Sequence, residues 1–220
     1  MGEQAGYWLV PLRSVYLRRV ATADDPNRRR QMIFDAAKVV FAEKGFSDFT
    51  IADIARKSGL SYGSITWHFP SKEALLRDLL QNEQERLRVV IFCSLLQVGS
   101  ASGGANIETL LRASVSASLE FFDEDPGVMA SLLQSPFSME IGAYFRPFYD
   151  GFLDDVEALI RTGQERGELR DVSSCFAAVT LVSLILQTAR WRLVARESST
   201  VTETADVIVS FTLDGLRCRS

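Results

Sequence analysis

Apolar residues recur along most of this 220-residue chain with the 3.6-residue period of amphipathic helices, and sustained two-residue alternation is absent. The first apolar stripe consists of Ile33, Ala36, Ala37, Val40 and Phe41. It predicts a helix that begins with an N-cap and a proline, Asp25-Pro26, and ends at Gly45 as a C-cap glycine. The pattern as a whole predicts an all-α protein.

Later stripes predict two short helices and then several long ones, separated by polar and glycine-containing breaks such as a flexible loop over residues 99–104. The long apolar periods predict helices over about 72–98, 107–122, 128–133, 139–166, 173–195 and 201–217. This order predicts a mobile N-terminal extension (1–25), a three-helix unit (26–72) and a helical bundle (73–220) whose helix 73–98 is the connector.

Residues 50–69, TIADIARKSGLSYGSITWHF, have the pattern of a helix-turn-helix. Thr50 and Asp53 have capping-box spacing, Ser58-Gly59 supplies a turn, and Ser61 caps a second short helix, 62–67. This helix would enter a DNA major groove about 12 Å wide. The outward positions of the helix are Tyr62, Gly63, Ser64, Thr66 and Trp67. The spacing alone also fits other pairs of helices joined at a corner.

The stretch from Arg30 to Leu76 resembles the DNA-binding domain of the tetracycline-repressor (TetR) family. The matching pieces are AAKVVFAEKGF (36–46), T-x-x-x-I-A-x-x-x-G-x-S (50–61) and HFPSKEALL (68–76), which together span about a fifth of the chain. The resemblance implies a dimer that binds a pseudo-palindromic operator in double-stranded DNA and responds to a small-molecule effector. The usual outcome in that family is repression.

Two positions depart from the family pattern, because a tyrosine usually matches Thr66 and a lysine or other polar group often matches Tyr62. The departures concern the operator sequence more than DNA binding itself. Thr50 and Ser61 present hydroxyl groups and helix N-termini to phosphate. Lys72 is expected to reach a phosphate, and His68 either does the same or packs at the helix junction.

Three arginines, Arg28, Arg29 and Arg30, precede the first predicted helical stripe. They form either a solvated charge cluster or an arm that contacts phosphates or the minor groove. Residues 1–25 either lengthen that arm or result from an incorrect translation start. The charge distribution favours DNA contact at this end. Residues 1–90 have 14 Lys and Arg against 11 Asp and Glu, whereas residues 91–220 have 10 against 17, although the whole chain has a net charge of −4.

Composition excludes several kinds of site. A single histidine, His68, cannot form a two-histidine metal site, and no cofactor or metal is expected. Three distant cysteines, Cys93, Cys175 and Cys218, indicate a reducing cytoplasm rather than a disulfide framework. The longest strongly apolar stretch, 177–186, is about half of what a bilayer span requires, and neither a membrane span nor a signal peptide is predicted.

The bundle is the predicted effector-binding and dimerisation domain. Aromatic and sulfur-containing residues crowd its middle, and they predict either a plain core or a site for an apolar or aromatic effector. The predicted effector residues are Phe121, Phe122, Phe137, Met139, Tyr144, Phe145, Phe148, Tyr149, Phe152 and Trp191. The helix 177–193 is apolar on nearly every side and requires cover, which a homodimer through the last two helices would supply.

Two other classes of protein remain open. One is a helical protein that sequesters a ligand or binds a partner and whose helix-turn-helix is vestigial. The substitution at Thr66 and the acidic net charge support it. The other is an enzyme, which the single histidine and the lack of a glycine-rich phosphate loop disfavour, so no catalytic residue is expected. Arg112, Arg146 and Arg190 are the candidate counter-charges if the effector is an acid.

Overall fold

The computed structural model describes residues 26–101, 104–126, 139–195 and 199–216, and these residues form eight helices. We number them in chain order. They are α1 (Pro26–Asp48), α2 (Ile51–Ser58), α3 (Tyr62–His68), α4 (Lys72–Ala101), α5 (Ile107–Glu124), α6 (Met139–Glu165), α7 (Ser174–Ala195) and α8 (Val201–Leu216). The all-α prediction is confirmed. The predicted extension 1–25 and helix 128–133 lie outside the described residues.

Two predicted helix ends are wrong. α1 continues past Gly45 to Asp48, and α4 continues into the predicted loop as far as Ala101. Glycine inside a helix costs only about 1 kcal/mol relative to alanine, so a glycine does not by itself end a helix whose neighbours remain helical.

The buried apolar residues form two clusters. The first cluster unites α1, α2, α3 and the start of α4, and its fully buried members include Phe34, Ile54, Ile65 and Phe69. The second cluster, which we call the body core, joins the second half of α4 to α5, α6, α7 and α8. α4 has 30 residues and is therefore about 45 Å long. It contributes to both clusters and connects them.

The last two helices keep an unusually apolar exposed surface. On α7, Phe176, Trp191 and Val194 are more than half exposed, and on α8 the same is true of Val207 and Phe211. α7 is long and apolar enough to cross a membrane by length and composition, but the helix also buries a line of residues in the body core. A helix with one buried and one exposed apolar side requires a second covering surface.

Candidate DNA-binding surface and body core

The start of α2 is fixed by a reciprocal capping box. The Asp53 backbone N–H donates to Thr50 Oγ1 (3.2 Å), while the Thr50 backbone N–H donates to Asp53 Oδ2 (3.1 Å). Asp53 also accepts a hydrogen bond from Lys44 Nζ at 2.7 Å and forms an ion pair with Arg56. These bonds join the end of α1 to the start of α2, so the predicted cap also sets the angle between the two helices.

The charge on Asp53 should stabilise the fold in a pH-dependent way. The hydrogen bonds from Lys44 and then from Thr50 lower the pKa of the Asp53 carboxyl from 3.8 to about 2. Because the folded-state pKa is depressed, the stabilisation is present above pH 3.8 and is lost as the pH falls towards 2. We expect Asp53→Asn to lower the free energy of unfolding at pH 7 by more than at pH 2.5, in denaturant titrations at both values. An equal loss at both would contradict this assignment.

A left-handed glycine turns the chain from α2 into α3. Gly59 has φ 72°, and its N–H donates to the carbonyl oxygen of Ala55 at 3.0 Å. Ser61 then caps α3 by accepting a hydrogen bond from the Ser64 N–H (3.1 Å). Ile65, which is fully buried, anchors the middle of α3 in the first cluster. The capping predictions for Thr50 and Ser61 agree with the structure, and Ser71 Oγ caps the start of α4 in the same way by accepting from the Ala74 N–H.

The outer side of α3 is dominated by two large aromatic side chains. Tyr62 is 58% exposed and Trp67 is 78% exposed. Gly63 lies between them on the surface, whereas Ser64 and Thr66 are partly buried. The Thr66 hydroxyl donates within the helix, to the carbonyl oxygens of Tyr62 and Gly63 (both 3.2 Å), so its lone pairs remain for an outside donor. The five predicted outward residues thus form one surface, and the rings of Tyr62 and Trp67 are its most exposed parts.

Two glycines four positions apart should respond oppositely to alanine. No atom lies within 4 Å of a Cβ at either site, so only backbone preference matters. Gly59→Ala should cost about 1–2 kcal/mol, because its φ is left-handed. Gly63→Ala, inside α3, should stabilise the fold by about 0.5–1 kcal/mol. Denaturant unfolding measures both, and a loss at Gly63 would show that α3 is not a regular helix there.

The residues at the α3–α4 junction are packed as well as accessible. The His68 ring lies 4.7 Å from the Trp67 ring and 6.2 Å from the Phe69 ring. Burial, followed by the positive charges of Arg30 and Arg29, lowers the pKa of His68, so the imidazole is neutral at pH 7. Lys72, at the first position of α4, has its Nζ 5.2 Å from the centre of the Phe49 ring. His68 therefore packs against its aromatic neighbours and is still partly accessible, so both of its predicted alternatives remain open.

The three arginines differ in their surroundings. Arg28 and Arg29 are exposed on the first turn of α1. Arg30 forms an ion pair with Asp78 of α4 at 2.5 Å, and its guanidinium lies 5.0 Å from the centre of the Phe69 ring. It therefore braces α1 against α4, a role that the sequence analysis missed. The sequence contained one indication of this packing, because Phe34 lies four positions after Arg30 on the same helix. The Arg30 guanidinium also lies over the Phe34 ring.

The predicted effector residues divide among three locations. Phe121, Phe122, Phe148 and Phe152 are buried in the body core, and Tyr149 packs against it. Phe145 is buried instead in the first cluster, and Trp191 is 51% exposed on α7. Phe137 and the side chains of Met139 and Tyr144 lie outside the described part of the structure.

The candidate counter-charges already have partners or face outward. Arg112 pairs with Glu108 at 3.2 Å and with Asp206 of α8. Arg146 is exposed and pairs with Asp150, and Arg190 is exposed. Within the described ranges, no group of three or more His, Cys, Asp or Glu side chains is arranged to hold a metal ion.

Comparison with known proteins identifies the N-terminal unit. Residues 33–79 match the family model described as "Bacterial regulatory proteins, tetR family". The HTH-type transcriptional regulator SrpR of Pseudomonas putida is 41% identical over 68 residues, which are 31% of this chain and 32% of SrpR. The HTH-type transcriptional repressor KstR2 of Rhodococcus jostii is 27% identical over 198 residues, covering 86% of this chain and 91% of KstR2.

The fold extends the likeness beyond that unit. The transcriptional regulator FadR from Bacillus subtilis, solved in complex with stearoyl-CoA, superimposes with a TM-score of 0.72 at 19% identity. The match covers 84% of this chain and 98% of FadR. At this identity the similarity is one of fold. The match over residues 33–79 and the similarity to SrpR identify an N-terminal unit of tetR type, and the likeness to KstR2 and to the fold of FadR extends over most of the chain.

Proposed function

We propose that the protein is a cytoplasmic, dimeric regulator that binds a pseudo-palindromic operator through α3 and releases it when an apolar effector enters the body core. The main support for this proposal is that α3 has one buried side and one exposed side. Its inner residue Ile65 is fully buried, while Tyr62 and Trp67 project from a short, capped helix. Such a helix can enter a major groove without disturbing its own support.

The same proposal assigns the parts of the chain. Residues 26–72 bind DNA, residues 73–220 bind the effector and dimerise, and residues 1–25 form an extension that precedes them. Phosphate contacts come from Thr50, Ser61, Lys72 and the exposed Arg28 and Arg29. Base contacts come from the outer side of α3.

A homodimer through α7 and α8 accounts for the exposed apolar surface of these helices. Phe176, Trp191, Val194, Val207 and Phe211 are each more than half exposed in one chain. A two-fold axis through this surface would bury each of them against a second copy. The same axis would place two α3 helices about one DNA turn apart, which is why we propose a pseudo-palindromic operator.

An apolar effector is the class of ligand that the body core favours. None of the three candidate arginines is a buried, unpaired charge, because Arg112 is paired with two carboxylates and Arg146 and Arg190 are exposed. FadR holds stearoyl-CoA within the same fold, so stearoyl-CoA is a suitable first probe for an acyl chain, with free CoA as the control for its charged phosphates. An apolar effector should weaken DNA binding about 5–150-fold. Release by charged compounds alone would count against this class.

One observation supports the alternative of a sequestering protein with a vestigial helix-turn-helix. The Thr66 hydroxyl is engaged with the backbone of its own helix rather than directed outward as a free donor. Salt dependence separates the two functions, because each phosphate contact contributes about −0.9 to the slope of log K against log salt. We expect a slope steeper than about −3 on a mixed-sequence duplex. A slope near zero would favour the sequestering protein.

A further inference from the structure

Four charged side chains form a closed ring where the proposed DNA-binding unit (residues 26–72) meets the body (residues 73–220). Lys38 of α1 lies 3.3 Å from Glu83 Oε1 and 2.5 Å from Asp125 Oδ2. Arg86 pairs with Glu83 through its other carboxylate oxygen and lies 3.2 Å from the same Asp125 oxygen. Each positive charge therefore contacts both negative charges. The ring joins α1, α4 and the residue that ends α5.

Three of the four side chains in the ring are mostly buried, so removal of one member would leave a buried charge without its full set of partners. The Glu83 side chain is 0% exposed, and those of Lys38 and Asp125 are 10% and 17% exposed. Apolar residues of similar volume are often at least as stabilising as such a network, so net stability alone does not account for it. A network of this kind can instead select one arrangement of the parts that it joins.

Two of the described contacts that α5 and α6 make with the N-terminal helices flank the connection between α5 and α6. Asp125 follows the last residue of α5 and bonds to Lys38. Phe145, near the start of α6, is buried in the first cluster. The ring also contacts the body core, because the Arg86 guanidinium lies 5.4 Å from the centre of the Phe121 ring. A shift of Phe121 therefore has a short physical route to α1.

We infer that Asp125 is a positioning residue for DNA binding, which fixes the angle of α1–α3 on α4 and transmits movement at the end of α5 to α3. This inference rests on the proposed function. Asp125 touches no DNA. It acts through Lys38, and it determines whether both α3 helices of a dimer fit one operator at once.

The test compares Asp125→Asn with Asp123→Asn. Both change a carboxylate to an amide at the same helix end, but Asp123 pairs with Arg192 of α7 and not with α1. DNA affinity is measured on fragments that the wild-type protein enriches from a random pool. Amide hydrogen exchange of α1 is measured without DNA. For Asp125→Asn we expect about tenfold weaker binding and about tenfold faster exchange in α1, and for Asp123→Asn less than twofold changes in either.

A double-variant cycle separates positioning from simple stability. Lys38→Met should weaken DNA binding as Asp125→Asn does, and the double variant should be no weaker than either single variant. A purely structural role would lower unfolding stability while the affinity of the folded dimer stayed at the wild-type value. That result, or equal exchange in the Asp125 and Asp123 variants, would overturn the inference. If the wild type binds no DNA, the proposed function fails, and the exchange measurement still decides whether Asp125 positions α1.

Discussion

Phe211→Glu should convert the dimer into a monomer and weaken DNA binding by about 10²–10⁴-fold. Phe211 is 74% exposed on α8, close along the helix to Val207, which is 68% exposed. A glutamate there would require a buried, unpaired charge in the proposed interface. Loss of the interface separates the two recognition helices, so the second half-site no longer benefits from a high effective concentration.

Sedimentation velocity and DNA titration measure the two parts of this prediction. The matched control is Val90→Glu, which introduces the same charge at an apolar residue 38% exposed on α4. The control should remain dimeric and bind DNA normally. If Phe211→Glu remained a dimer with unchanged affinity, the last two helices would not form the interface.

Phe69→Ala should lower the free energy of unfolding by about 3–5 kcal/mol. The Phe69 ring is 0% exposed, lies 5.5 Å from the Phe34 ring and is covered by the guanidinium of Arg30. Its removal leaves a cavity at the point where α1, α3 and α4 meet. Thermal and denaturant unfolding should show the loss as early melting of the DNA-binding unit.

Trp67→Ala is the matched comparison for Phe69→Ala, because it removes a larger ring two positions earlier. Since Trp67 is 78% exposed, its loss should change the unfolding free energy by less than about 0.5 kcal/mol. It should nevertheless weaken specific DNA binding about 5–150-fold. A large stability loss with normal DNA affinity would assign Trp67 to the fold rather than to the DNA surface.

Features set by nearby residues could be predicted from the sequence. Thr50 and Asp53 are three positions apart, and the capping box follows from that spacing. The same holds for the Ser61 cap and for Gly59, whose left-handed φ few other residues adopt readily. The aromatic residues of α5 and the middle of α6 were predicted to cluster, and four of them are buried together in the body core.

Features set by distant residues could not be predicted in the same way. Lys38 and Glu83 are 45 positions apart, and Arg30 and Asp78 are 48 apart, so no local pattern pairs them. One partial signal existed, because Glu83 lies four positions from both Leu79 and Leu87 on the buried side of α4, and a buried carboxylate requires a partner. The burial of Phe145 with the DNA-binding unit depends on how α6 packs, which helical periodicity does not specify.

The central claim is that two α3 helices read one DNA sequence, and selection of fragments from a random pool tests it most directly. The wild-type protein and a Tyr62→Ala, Thr66→Ala double variant would be compared at moderate salt. The account predicts that the wild type enriches a pseudo-palindromic motif and that the folded, dimeric double variant does not. Enrichment of no motif by a folded, dimeric wild type, or of the same motif by both proteins, would contradict it.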